Sequence, residues 1–287
     1  MLPYTARGGC FLGSGNSYED SKAVILGLPM DFTVSFRPGT RSGPDHIRQA
    51  SIGIEEYSPI LDRDIAEASF FDAGDMELPF GNVKYSLDRI EKAAVKILSD
   101  AKKPVFLGGE HLVSLPLIKA LKEHYEDLVV IQFDAHADLR TDYMGEKLSH
   151  ATVMRQVSEI VGMKNLYQVG IRSGTKQEFQ FGREHTNFYP YDVMESLTEI
   201  LPGLADKPVY ITLDIDVVDP AHAPGTGTPE PGGCSSKEIM EAVYALRSLR
   251  IVGADLVEVS PVGDSGLLTG LLAAKLVREM ILGFWPD

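Results

Sequence analysis

The chain has 287 residues, of which 44% are hydrophobic and 24% charged, enough apolar material for a large buried core. Its formal charge of −14 argues against nucleic acid and anionic membrane surfaces as partners, and no apolar run approaches the roughly 18 residues of a membrane span. The two cysteines, Cys10 and Cys234, are too few for a disulfide framework or a thiolate metal site, and the N-terminus has no cationic-then-apolar leader pattern, so a reducing, cytoplasmic setting is expected.

Short apolar runs alternate with helical patterns along the chain. No linker, repeat or low-complexity segment interrupts residues 1–287, so a single domain is expected. Strands are expected at residues 23–28, 69–72, 104–107, 128–134, 165–169, 208–214 and 251–258. Helices are expected at 44–51, 87–98, 112–124, 151–160, 193–201, 236–247 and 267–282, the sixth opened by Ser235 or Ser236 with Glu238 as a helix-start signal. This rhythm predicts a mostly parallel sheet covered by helices on both faces, a three-layer α/β/α fold in which ligands bind beyond the carboxyl ends of the strands. The loops 35–43 (SFRPGTRSG) and 223–233 (APGTGTPEPGG) are long and rich in Gly and Pro, as site-shaping loops are, and neither matches a phosphate-binding loop.

Three segments carry metal-competent side chains just after apolar runs. PVFLGGEH presents His111, VVIQFDAHADLR presents Asp134, His136 and Asp138 at every second position, and VYITLDIDVVDP presents Asp214 and Asp216. A strand places alternate residues on one face, so the middle three converge if the extended conformation lasts through Asp138. Carboxylates gathered at the end of a buried strand repel one another and resist desolvation, and a bound cation removes both problems. A histidine at a helix start is by itself more often structural. Two imidazoles with four carboxylates instead form an O/N donor set suited to Mn²⁺, with Fe²⁺, Co²⁺ and Zn²⁺ also accommodated. Two divalent ions about 3.5–4 Å apart could share a hydroxide and make it a nucleophile at neutral pH.

Together, GGEH, DAHAD and TLDIDVVDPAHAPGTGTPEPGG resemble the signature segments of the ureohydrolases, the family of arginase and agmatinase, in order from about Leu26 to the C-terminus. The segments FRPGTRSGPDHIRQAS, EEYSP and FDAGD most resemble its bacterial agmatinase branch. The resemblance implies a central eight-stranded sheet, two Mn²⁺ per subunit, a homotrimer or homohexamer, and a cytoplasmic hydrolase of polyamine and putrescine biosynthesis. It matches His111, Asp134, Asp138 and Asp216 to one manganese and Asp134, His136, Asp214 and Asp216 to the other, with Asp134 and Asp216 bridging. Glu258 matches the glutamate that binds the substrate guanidinium through charge-assisted hydrogen bonds. His150 matches the histidine that contacts substrate and relays a proton to the departing amine.

Arg140 stands where arginases carry the asparagine that holds the substrate α-carboxylate. The expected substrate is therefore agmatine, a carboxylate-free dication suited to an acidic protein, with arginine and guanidinobutyrate as alternatives. A non-catalytic sensor of this fold would be expected to lose ligands or Glu258, and a single-zinc amide hydrolase to lack the full set; every position is intact. Met30, Phe32 and Tyr143 are candidates for the site entrance, and His222, in the DPAHAPGTGTP loop, reads first as a structural loop residue with the site mouth as the alternative. His46, His124 and His185 read as surface or structural residues, and Cys234 as a small buried one.

Overall fold

The computed structural model describes residues 2–6 and 9–285. In chain order its elements begin with β1 (Thr5–Ala6), β2 (Ala23–Leu28), α1 (Gly43–Ser51), β3 (Tyr57–Ser58), β4 (Arg63–Asp64), β5 (Phe70–Met76) and α2 (Val83–Ser99). Then follow β6 (Lys103–Gly108), α3 (Ser114–His124), β7 (Val129–Phe133), α4 (Val153–Val161), β8 (Leu166–Ile171), α5 (Lys176–His185), β9 (Asn187–Pro190) and α6 (Val193–Ile200). The chain closes with β10 (Pro208–Asp214), α7 (Ser236–Leu246), β11 (Arg250–Val257) and α8 (Leu268–Phe284).

One sheet runs in the order β1-β5-β2-β6-β11-β10-β7-β8-β9. Eight of its strands are parallel, as expected, and the ninth is the two-residue β1, paired antiparallel to β5. Strands β2, β7 and β10 are buried along their whole length, as sheets covered on both faces require. Alternate residues feed two separate cores. Ile25, Ile131 and Ile211 face one core with Ile47 of α1, Leu197 of α6, Ile239 of α7 and Leu276 of α8. Leu26, Val130 and Tyr210 face the other with Ile90 of α2, Leu117 of α3 and Val157 of α4. This is the three-layer α/β/α arrangement. Among the described residues, no helix is long and apolar enough to cross a membrane.

Several boundaries differ from expectation for local reasons. Helix α2 starts at Val83 rather than at residue 87, because the Asn82 side chain accepts a hydrogen bond from Tyr85 N at 3.1 Å and caps it. Helix α7 begins after a reciprocal capping box between Ser235 and Glu238, as expected. Unforeseen were α5, a polar helix burying only Glu178 and Gly182, and β9, a half-buried edge strand ending in Pro190. Neither carries an apolar period. Strand β7 ends at Phe133, so the extended conformation does not last through Asp138, whose φ of 52° is left-handed. Residues after Asp134 instead follow β8 irregularly, with Ala137 N donating to Ser173 O at 3.1 Å.

Gly109 shows how closely the elements meet at the site end of the sheet. A Cβ there would lie 1.9 Å from the Met30 carbonyl oxygen, because Glu110 N donates to that oxygen at 2.7 Å. Replacing Gly109 with Ala must push two backbones apart and is expected to cost on the order of 3 kcal/mol. Thermal unfolding of Gly109→Ala would check this; an unchanged Tm would mean that the contact is easily relaxed.

Candidate metal centre

The chemistry-bearing residues come from the carboxyl ends of four adjacent strands, β6, β11, β10 and β7. His111 follows β6 in a short 3-10 turn, Glu258 follows β11, Asp214 ends β10, and Asp134 follows β7. Parallel strands bring these ends to one edge of the sheet, although the residues lie as much as 147 positions apart.

The side chains form two overlapping groups able to hold a cation, His111–Asp134–Asp138 and Asp134–His136–Asp216, with ligand atoms within 4.8 Å of one another in each. His111 Nδ1 lies 3.0 Å from Asp134 Oδ2, 3.2 Å from Asp138 Oδ2 and 3.5 Å from Asp214 Oδ2. His136 Nδ1 lies 2.9 Å from Asp216 Oδ2 and 3.6 Å from Asp134 Oδ1. Asp134 is thus common to both groups. Asp216 lies with the His136 group, to which the resemblance also matches it, whereas Asp214, which the resemblance matches to the His136 group alone, approaches His111. The physical reason is the tight turn after β10, in which Asp216 N donates to Asp214 Oδ1 at 2.9 Å, while Asp216 Oδ1 accepts from Ala135 N at 3.0 Å.

Backbone and amide donors hold these carboxylates. Asp134 accepts from His136 N at 2.6 Å and from Gln132 Nε2 at 2.7 Å. Arg172 donates to the carbonyls of Asp216, Val217 and Glu230, tying the end of β10 to the Gly/Pro-rich loop 223–233. Burial pushes Asp138 up to about 7, aided by the charge of Asp134, and raises Asp214 well above its ordinary range, aided by Asp216 and Asp134. Burial opposes charge on the histidines as well, yet their carboxylates win: His111 rises well above its ordinary value and His136 to about 12. Asp134 falls well below the carboxylate range because both imidazoles outweigh its burial. Each imidazole and each carboxylate demands compensating charge from its neighbours.

A cation fits this demand on one specific atom. His111 Nδ1 is buried and makes no hydrogen bond of acceptable angle despite three carboxylate oxygens within 3.5 Å. Its other nitrogen is already engaged, with Nε2 2.9 Å from Thr212 Oγ1. A nitrogen set among three carboxylates requires a positive centre there, a proton in the empty site or a cation in its place. The donor set, imidazole with carboxylates and no thiolate, suits a divalent first-row ion.

Glu258 is buried, with a left-handed φ of 63°, and its Oε1 accepts from His111 N at 2.7 Å. Burial, with Glu110 adding to it, pushes Glu258 up to about 8. His150 is lowered to about 4, first by burial, and its Nε2 lies 3.3 Å from Ser35 Oγ. Both residues line a cavity of about 270 Å³ together with His111, His136, Asp138 and Asp214. Ser35 and Thr228 carry both Gly/Pro-rich loops to its wall, and Tyr143 and Arg140 border it, Arg140 with its guanidinium 5.0 Å from the Tyr143 ring and 3.5 Å from Glu178.

The other candidates lie elsewhere. Met30 is fully buried behind Gly109, Phe32 borders a neighbouring hollow, and His222 is exposed. His124 and His185 are exposed, and His46 is buried against Asp264 at 2.8 Å, a structural pair. Cys234 is buried with its thiol pushed up to about 12, which keeps it protonated. Thr212, Thr228 and Glu178 were not anticipated; Glu178 had a legible signal, the Thr175–Glu178 capping box that opens α5.

Residues 21–283 match the sequence pattern of the arginase family. The chain is similar to the agmatinase of Bacillus cereus, 55% identical over 280 residues covering 96% of this chain and 97% of that protein. It is 53% identical to the agmatinase of Bacillus subtilis, with the same coverage. A solved structure of agmatine ureohydrolase from Thermoplasma volcanium, 34% identical, superposes with a TM-score of 0.86 over 94% of this chain and 92% of the other.

Added divalent metal is expected to stabilise the folded chain, by about 2.7 kcal/mol at a hundredfold excess over Kd. Asp134→Asn, which touches both groups, should abolish the metal-dependent rise in Tm. A variant that still gains stability from Mn²⁺ as the parent chain does would remove Asp134 from the shared position.

Proposed function

Because this chain belongs to the arginase family, we propose that it is a ureohydrolase that cleaves the guanidinium group of agmatine to putrescine and urea at two divalent ions, physiologically manganese. The observation that carries the metal reading is the buried His111 Nδ1 facing Asp134, Asp138 and Asp214. Agmatine is favoured over other guanidino compounds by the similarity to agmatinases over nearly the whole chain.

His111, Asp134, Asp138 and Asp214 would hold one ion, and Asp134, His136 and Asp216 the other, with Asp134 between them. The four carboxylates then carry four negative charges against the four positive charges of two divalent cations, so the buried charges balance. When bound, the ions supply Lewis acidity and activate water at neutral pH. Glu258 orients the guanidinium: its Oε1 is engaged by His111 N, which leaves Oε2 to accept from the substrate. The low pKa of His150 keeps its resting ring neutral at neutral pH and makes a proton placed on it readily given up, which suits its handing one to the departing amine at the cavity wall. Loops 35–43 and 223–233, through Ser35 and Thr228, limit the access of bulk water.

The deciding experiment is urea release from agmatine, arginine and guanidinobutyrate by Mn²⁺-loaded protein. Agmatine should be hydrolysed fastest. Faster turnover of arginine or guanidinobutyrate would overturn the substrate choice, and no urea from any of them would overturn the hydrolase reading. Glu258→Gln is expected to lower kcat/KM for agmatine roughly 10- to 100-fold through the loss of an acceptor that ionises when the cationic guanidinium binds, with metal content unchanged.

A further inference from the structure

Behind His111, on the side away from the cavity, runs a line of hydrogen bonds that the mechanism above does not use. His111 Nε2 is 2.9 Å from Thr212 Oγ1, and Thr212 Oγ1 is 2.7 Å from Asp255 Oδ1. Tyr210 Oη is 2.7 Å from Asp255 Oδ2, and Ser114 Oγ is 3.3 Å from Thr212 Oγ1. Tyr210, Thr212, Asp255 and Ser114 are all fully buried.

Strand register creates this line. Thr212 of β10 pairs directly with Asp255 of β11, and Tyr210 pairs with Gly253, two residues earlier on each strand. Residues two apart share a face of the sheet, so Tyr210, Thr212 and Asp214 point the same way. Gly253 leaves room for the Tyr210 ring, since a Cβ there would lie 3.2 Å from the ring carbon Cε2.

Donor and acceptor chemistry sets the direction of each bond. The hydroxyls of Tyr210 and Thr212 both donate to Asp255, and although burial raises Asp255 these hydrogen bonds favour its ionised form. The Thr212 oxygen is then an acceptor, and the His111 Nε2–H donates to it. Neutral His111 is thereby held in the tautomer whose lone pair sits on Nδ1, the atom that faces Asp134, Asp138 and Asp214. Satisfying buried polar groups between two strands would account for the Tyr210–Asp255 and Thr212–Asp255 bonds alone. It does not account for the line ending on His111, whose far nitrogen is buried among three carboxylates.

We propose that Asp255 is a positioning residue for the metal centre, acting through Thr212 to fix the tautomer and ring orientation of His111 and to strengthen Nδ1 as a ligand. This rests on the two-metal reading given above. A carboxylate behind a metal-bound histidine has this effect generally, and here a threonine hydroxyl stands between the two.

The test is titration of the metal-stripped full-length chain with Mn²⁺ by calorimetry, combined with ¹⁵N NMR of the metal-free His111 ring at a pH high enough for it to have lost its second proton. The parent chain should bind two ions and show the Nε2–H tautomer. Thr212→Val, which keeps the side-chain shape without the hydroxyl, and Asp255→Asn should each weaken one of the two binding events about 10- to 100-fold and leave the other as in the parent. Thr212→Ser should restore both the affinity and the tautomer. Thr212→Val that binds both ions as tightly as the parent, or that keeps the Nε2–H tautomer, would overturn the proposal; so would equal weakening of both events. Should Asp255→Asn not fold, the Thr212 pair decides alone. A parent chain that binds no Mn²⁺ would instead overturn the metal reading itself.

Discussion

The mutual repulsion of carboxylates gathered at the ends of buried strands organises this protein. Asp134, Asp138, Asp214 and Asp216 all sit within the protein, at the edge where β7 and β10 run out. Water cannot stabilise so many negative charges there, and hydrogen bonds from Ala135 N, His136 N and Asp216 N satisfy only some of the oxygens. What remains is a site with a standing demand for positive charge. The close-packed Gly109 turn confines that demand, and the cavity lined by Glu258 and His150 opens onto it.

The parallel sheet lets distant residues share this edge. Each strand is buried on both faces, so its register is set by packing and its end cannot slip without moving a whole row of side chains. Residues at the strand ends inherit that rigidity. Residues beyond them need their own anchors, and the structure supplies these: Arg172 for the turn after β10, the pairing with Ser173 for the segment after Asp134, and the left-handed conformations of Asp138 and Glu258. Backbone conformations that L-residues rarely adopt appear at these two acids, where the surrounding structure over-determines them.

Polarity is graded across the site. Its floor is acidic and fully enclosed, whereas its mouth carries Arg140 beside Glu178 and Tyr143, Ser35 and Thr228 at the wall. The paired Arg140 and Glu178 offset each other in charge, so the unbalanced acidic groups of the site are those at its floor. An acidic chain of net charge −14 adds a long-range pull of the same sign.

Periodicity and motif spacing in the chain already disclosed the α/β alternation, the position of the acidic edge and the identity of the side chains that meet there, because buried strands need uninterrupted apolar runs and the exceptions stand out at their ends. Asp255, an acid inside the apolar run ADLVEV, stands at no strand end, and its partnership with Thr212 depends on the pairing of β10 with β11, which no local pattern encodes. Elements without an apolar face, α5 and β9, left no periodic trace, and strict alternation through Asp138 was overruled by a turn. The division of Asp214 and Asp216 between the two groups, the buried setting of His111 Nδ1 and the pairing of Arg140 with Glu178 came only with the assembled fold. Those features depend on distances between strands and loops far apart in the chain, and residue types fix which contacts are possible but not which of them are made.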